Sequence, residues 1–319
     1  MNILQLPLVA LAWIGRQGTR AVAASIFLGL AVPQLAAYVK PHLAETVFVM
    51  LLFSYLRTDP AAFRRYLKEP GLTLVTALWV MLAAPLLFGA AYVLFGLRDA
   101  MPELYTIMIL QGAITPITSS AAFAALMGLD VAFALAALIV SNALAPITTV
   151  AFSYLFLGSS LFSPIDLGIK LFVFFAGAGG CAYAIRRIAG QSWIEHQKET
   201  IDGLNVIAIF IFAIAAMESV PRHILADPLF ALELLVLIMV LSLALIALSI
   251  LVFWRAGLDR GLVVGLLAAF RNIGVIMAVI GTTLPDLAWF YFAMAQFPIY
   301  LLPAMLKPLA RRLARRAAR

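Results

Sequence analysis

The residues with the clearest chemical potential sit inside apolar runs. Arg271 and Asn272 interrupt Gly265-Leu266-Leu267-Ala268-Ala269-Phe270, and Ile273-Gly274 follows them directly. A charge inside a stretch that could cross a bilayer costs at least a few kcal/mol, so such a residue faces a partner or a cavity and marks a function. A second interruption reads Thr115-Pro116-Ile117-Thr118-Ser119-Ser120, a helix-breaking proline among four hydroxyls. The guanidinium is a planar five-donor fork suited to a carboxylate or sulfonate, and Thr115, Thr118, Ser119 and Ser120 add donors for the same anion. Each feature also has a plainer role. The hydroxyls could serve only the backbone freed by Pro116, and Arg271 could form a structural pair with a buried carboxylate.

The remaining titratable residues add little. Glu218, Glu233 and Asp130 are carboxylates in or beside apolar runs and stand as coupling candidates, set against simple solvation at an interface. The three histidines are far apart and Cys181 is the single cysteine, so no metal site, cofactor or disulfide framework is expected. No nucleophile–base pair is present, which argues against an enzyme.

These residues must be positioned by a membrane protein. The chain is 65% hydrophobic and 12% charged, with a mean hydropathy of +1.06. A soluble domain carries roughly 25% charged residues. Apolar runs of membrane-crossing length, bounded by charges and prolines, number ten. They cover about 21–38, 43–56, 72–95, 104–127, 131–157, 164–185, 204–217, 229–254, 262–280 and 288–306. Residues 191–202 are polar and read as an interfacial segment. Seventeen of the 22 lysines and arginines fall on the side that holds both termini, four fall opposite, and Arg271 lies within. By the positive-inside rule both termini are cytoplasmic, in a multi-pass protein of the inner membrane. The basic residues after Leu306 read as a tail (307–319) beside anionic headgroups, so the net charge of +7 needs no nucleic-acid partner.

Ten spans divide into two halves of five. An odd half reverses orientation, which gives the inverted repeat of many secondary transporters and makes the fourth and ninth spans equivalent. Both hold an interruption. The expected fold is therefore an all-α membrane protein with two broken, crossing helices.

The chain also resembles the bile acid:sodium symporter family over most of its length. The resemblance lies in Tyr55-Leu56-Arg57-Thr58-Asp59-Pro60-Ala61-Ala62-Phe63, Ala84-Pro85, Pro116, Asp130-Val131 with Pro146 downstream, and Asn272-Ile273-Gly274. It implies a panel domain (about 1–70 and 164–220) and a core domain (about 71–160 and 228–306) that alternate access to a substrate site. It also implies what has changed. The polar residues with which the family binds sodium fall on Val80, Ala121, Ala134, Leu138, Leu267 and Arg271, so the oxygen cage a hard cation needs is mostly lost. The expected function is a sodium-independent transporter of small organic anions, bound by Arg271, Asn272, Thr115, Pro116, Thr118, Ser119 and Ser120. Arg271 would stand in for the sodium. The alternatives are a proton-linked exchanger in which Arg271 pairs with a buried carboxylate, and a transport-inactive receptor in the bilayer.

Overall fold

The computed structural model describes residues 31–58, 70–158, 163–217 and 220–317, and among them it is helical without a β-strand. A short α1 (Pro33–Val39) leads into α2 (Leu43–Arg57). Next come α3 (Pro70–Leu78) and α4 (Ala84–Leu94), joined through one π-helical turn at Trp79–Ala83, and then the short α5 (Leu97–Ala100). Two half-length helices follow, α6 (Pro102–Ala113) and α7 (Ser120–Met127), and then the long α8 (Val131–Leu157) and α9 (Pro164–Ala189). After α10 (Gln191–His196) come α11 (Lys198–Ala216), α12 (Val220–Ala226) and α13 (Pro228–Val252). The chain closes with half-helices α14 (Leu258–Ala269) and α15 (Ile273–Ile280), and with α16 (Asp286–Ala317).

The sequence sets these boundaries locally. Prolines open α6, α9 and α13, at first-turn positions where a missing N–H costs nothing. Asp130 and Asp227 cap α8 and α13 by accepting the amide N–H groups of Phe133 at 3.0 Å and Phe230 at 2.9 Å. Gly128 closes α7 with φ +76°, a conformation that L side chains rarely adopt.

Among the described residues, six helices are long and apolar enough to cross a membrane: Pro70–Leu94, Val131–Leu157, Pro164–Ala189, Lys198–Ala226, Pro228–Val252 and Asp286–Ala310. In α13 the most apolar window has a mean hydropathy of 3.1, yet only 22% of it is buried within the protein. Leu229, Leu232, Val236, Val240 and Leu251 point outward from it. In water that surface would be an aggregation site; against hydrocarbon it is the stable arrangement. The chain is an all-α, multi-pass membrane protein.

The sequence expectation of ten spans is matched only in part. The expected fourth and ninth spans are each two half-helices, neither long enough alone. The expected second is the fifteen-residue α2, and the first lies largely outside the described residues. The basic stretch after Leu306 continues α16 without a break as far as Ala317.

The deepest element is α14, buried from Gly261 to Ala269. It packs along α13, where Gly261 and Gly265 face Ile250 and Ile246. A Cβ on Gly265 would come within 2.9 Å of the Ile246 Cα, so the two backbones touch only because both residues lack side chains. Around this pair lie Phe270, Phe290, Phe292 and Phe133, all buried. On the other side of the molecule α9 and α11 pack against α2, and Arg186 of α9 binds the end of α2. Its Nη2 donates to the carbonyls of Tyr55, Leu56 and Thr58 at 3.0–3.1 Å. Cys181 is exposed on α9.

Candidate functional site

Both interruptions follow from their local sequence. Pro116 has no N–H to give α6 and biases the preceding residues toward extended backbone, and Ile114 ends that helix at φ −79°, ψ 167°. Phe270 ends α14 at φ −98°, ψ 97°. The two freed segments then pair with each other as a short antiparallel bridge centred on Pro116 and Arg271. The Ile117 amide donates to the Phe270 carbonyl at 2.7 Å, and the Asn272 amide donates to the Thr115 carbonyl at 2.8 Å. Backbone groups released in an apolar interior thereby satisfy one another, which is the condition for an irregular segment at membrane depth.

Arg271 completes the accounting. It is 3% exposed, and no carboxylate pairs with it among the described residues. Its partners are backbone carbonyls from three helices. Nε donates to Ala268 at 2.8 Å, Nη1 to Ile114 at 3.0 Å and Nη2 to Val80 at 2.7 Å; Nη1 also lies 3.9 Å from the Met81 sulfur. Each carbonyl is an orphan for a definable reason. The Ala268 carbonyl would take the amide of residue 272, but that amide bonds to Thr115 instead. Ile114 is the extended C-cap of α6, two residues before Pro116, so no helical amide returns to its carbonyl. Val80 loses both possible backbone donors: the π turn gives the Ala84 N–H to Trp79, and the next residue, Pro85, has none. Nearby, the Thr149 hydroxyl of α8 donates to the Ala113 carbonyl at 2.9 Å and caps another free end of α6.

The guanidinium thus bridges the C-terminal ends of two half-helices. Those ends carry roughly half a negative charge each. A charge-assisted hydrogen bond contributes about 1.5–3 kcal/mol, so three of them together offset much of the desolvation cost of a buried cation.

The opposite half-helix ends differ. Neither α7 nor α15 has a side-chain cap at its N-terminus, where Ser119 and Asn272 stand. Thr118 and Ser119 are half-buried. The Thr115 and Ser120 hydroxyls are buried without a hydrogen-bond partner among the described residues, as is Gln296 Oε1 on α16. Of the expected binding residues, the fold joins Arg271, Asn272, Thr115 and Pro116 directly through the bridge, and Thr118, Ser119 and Ser120 continue the same turn into α7. The coupling candidates lie elsewhere. Asp130 caps α8, Glu233 is exposed on α13, and Glu218 lies outside the described residues. Val80, Ala121, Ala134, Leu138 and Leu267, where the resemblance put lost sodium ligands, are buried apolar side chains.

Several residues that build the site were missed in the sequence reading. Val80 contributes through its backbone, for which Pro85 in a spanning helix was the available signal. Thr149 comes from a separate helix and had no signal. The spacing Gly261-x-x-x-Gly265 is a recognisable seam for close helix packing. No protein-family model matches the chain, and no curated protein matches it.

Proposed function

We propose that the protein is a secondary transporter of organic anions that works by alternating access and does not use sodium. The observation carrying this reading is the engagement of Arg271 with the C-terminal ends of both broken helices. Carbonyl-rich helix ends at a crossing suit a cation, and in ion-coupled transporters the cation is loaded and released in each cycle. Here a covalently attached guanidinium takes that role, and it neither leaves nor needs replacing. The uncapped N-termini of α7 and α15, with Thr118 and Ser119 beside them, supply the anion-attracting half of the crossing.

The resemblance to the bile acid:sodium symporter family supports the same reading, with this chain as a divergent member. In that reading ten spans form an inverted repeat, both termini face the cytoplasm, and a panel containing α2, α9 and α11 moves against a core containing the two broken helices. No carboxylate lies beside Arg271 among the described residues, which supports the fixed-cation reading over the ion-paired exchanger.

The test is uptake of labelled organic anions into proteoliposomes, in sodium medium and in N-methylglucamine medium. The expected result is the same initial rate in both. A rate that collapses without sodium would exclude the fixed-cation mechanism. Anion binding to the purified protein without any uptake would point to a receptor instead.

A further inference from the structure

A cavity adjoins Arg271 on the side away from the bridge. It is lined by α4, α6, the end of α8, α13, the end of α14 and the start of α16, and its polar lining comes from Arg271, Tyr92, Tyr291, Ser242 and Gln111. The space open to the centres of water-sized molecules is about 40 Å³. At roughly 10–15 Å³ per water, that is room for about three waters and far too little for a bulky organic anion.

The lining has one sign of charge. Arg271 is its single ionised residue, and no aspartate or glutamate contributes. Of the five guanidinium N–H groups, three bind carbonyls and a fourth lies toward the Met81 sulfur, which leaves one on Nη2 without a partner among the described residues. The hydroxyls of Tyr92, Tyr291 and Ser242 likewise have no hydrogen-bond partner among the described residues. Tyr92 lies within electrostatic reach of both Arg271 and Tyr291. Tyr291 and Ser242 are 2% and 5% exposed. Polar groups in an apolar interior are normally paired; here the spare Arg271 N–H and the hydroxyls of Tyr92, Tyr291 and Ser242 offer four donors to one small space, against one orphaned acceptor in its lining among the described residues, Gln111 Oε1. Phe88, Phe152 and Phe156 contribute aromatic rings to the apolar part of the lining.

We infer that this cavity is a binding site for one small monovalent anion of chloride or formate size, acting as counter-ion to Arg271. The three carbonyls hold the guanidinium by dipoles alone, and a whole negative charge beside it supplies what they do not. The anion takes the free Nη2 N–H and the three hydroxyls. This site is separate from the organic-anion site proposed at the half-helix N-termini, and it stands whether or not the protein transports.

The experiment is thermal unfolding of the purified full-length protein in detergent, titrated with sodium chloride or sodium formate against sodium gluconate at fixed ionic strength. Chloride and formate are expected to raise the midpoint saturably, whereas gluconate, too large for the cavity, leaves it unchanged. Tyr92→Phe and Tyr291→Phe keep the rings and remove one donor each. Either is expected to weaken the apparent affinity by about tenfold, the loss of one charge-assisted hydrogen bond. Gly112→Ala adds a methyl at the cavity wall, where a Cβ meets nothing within 4 Å, so this variant folds and narrows the site. It too is expected to lose the chloride response. No anion-specific stabilisation of the wild type would mean that water alone fills the cavity and would overturn the proposal. A response that survives unchanged in all three variants would do the same, by placing the anion elsewhere.

Discussion

Arg271→Met is expected to remove both the proposed transport and a large part of the stability, and Arg271→Lys to restore neither fully. Methionine fills a similar volume but leaves the carbonyls of Ala268, Ile114 and Val80 without donors. A buried acceptor left unsatisfied costs about 1–3 kcal/mol, and relief of the desolvated charge returns only part of the total. A net loss of about 3 kcal/mol is expected, which lowers the unfolding midpoint by roughly 5 °C or more. Lysine keeps the charge, but a compact ammonium cannot reach three carbonyls spread around a planar fork. Its midpoint should fall between those of methionine and wild type. Thermal unfolding and proteoliposome uptake, measured on the same preparations, separate two roles. An arginine that only contacts substrate would lose uptake while the midpoint stays where it was, and that outcome would refute the bracing role.

Gly265→Val produces the other large effect. Its new Cβ would sit 2.9 Å from the Ile246 Cα and 3.1 Å from the Ile246 carbonyl oxygen. Both are backbone atoms that no rotamer change can move aside. The helices α13 and α14 must separate, at a cost of about 1–3 kcal/mol for overpacking and more if their seam opens further. Arg271 is carried at the end of α14, and its hydrogen bonds of 2.7–3.0 Å do not survive a displacement of that helix. Uptake is therefore expected to fall with stability. Gly261→Ala, with its closest approach at 3.0 Å, should behave similarly but more mildly. A Gly265→Val protein that melts and transports like the wild type would show that the seam does not position the crossing.

Much of this architecture was legible in the sequence, and the reason differs by element. The run 131–157 reads as one helix because of its unbroken apolar length, and α8 has those bounds. The two interruptions were visible because a proline and a buried arginine each violate the expectations of a spanning helix. What joins them was not visible. The partners of Arg271 are backbone carbonyls, which every residue carries, and they become available only through tertiary events. One of these is the pairing of Asn272 with Thr115, and another is the π turn ahead of Pro85. Glu233 shows the opposite difficulty. Its apolar neighbours in sequence suggested burial, but the helix turns it to the exterior.

The fixed guanidinium also bears on electrical work. A transporter that carries sodium with its anion can move no net charge, or even positive charge, so an inside-negative membrane favours accumulation. On the proposed mechanism, with the cation fastened to the protein at Arg271, each cycle would move only the substrate's negative charge. A membrane potential contributes about 2.3 kcal/mol per elementary charge for every 100 mV. Across a cytoplasmic membrane that term opposes entry of an anion and favours its exit. Coupled to nothing else, such a protein would run as an exporter, and a potassium–valinomycin potential imposed on proteoliposomes should set the direction of flux. Flux indifferent to that potential would show that another ion balances the charge.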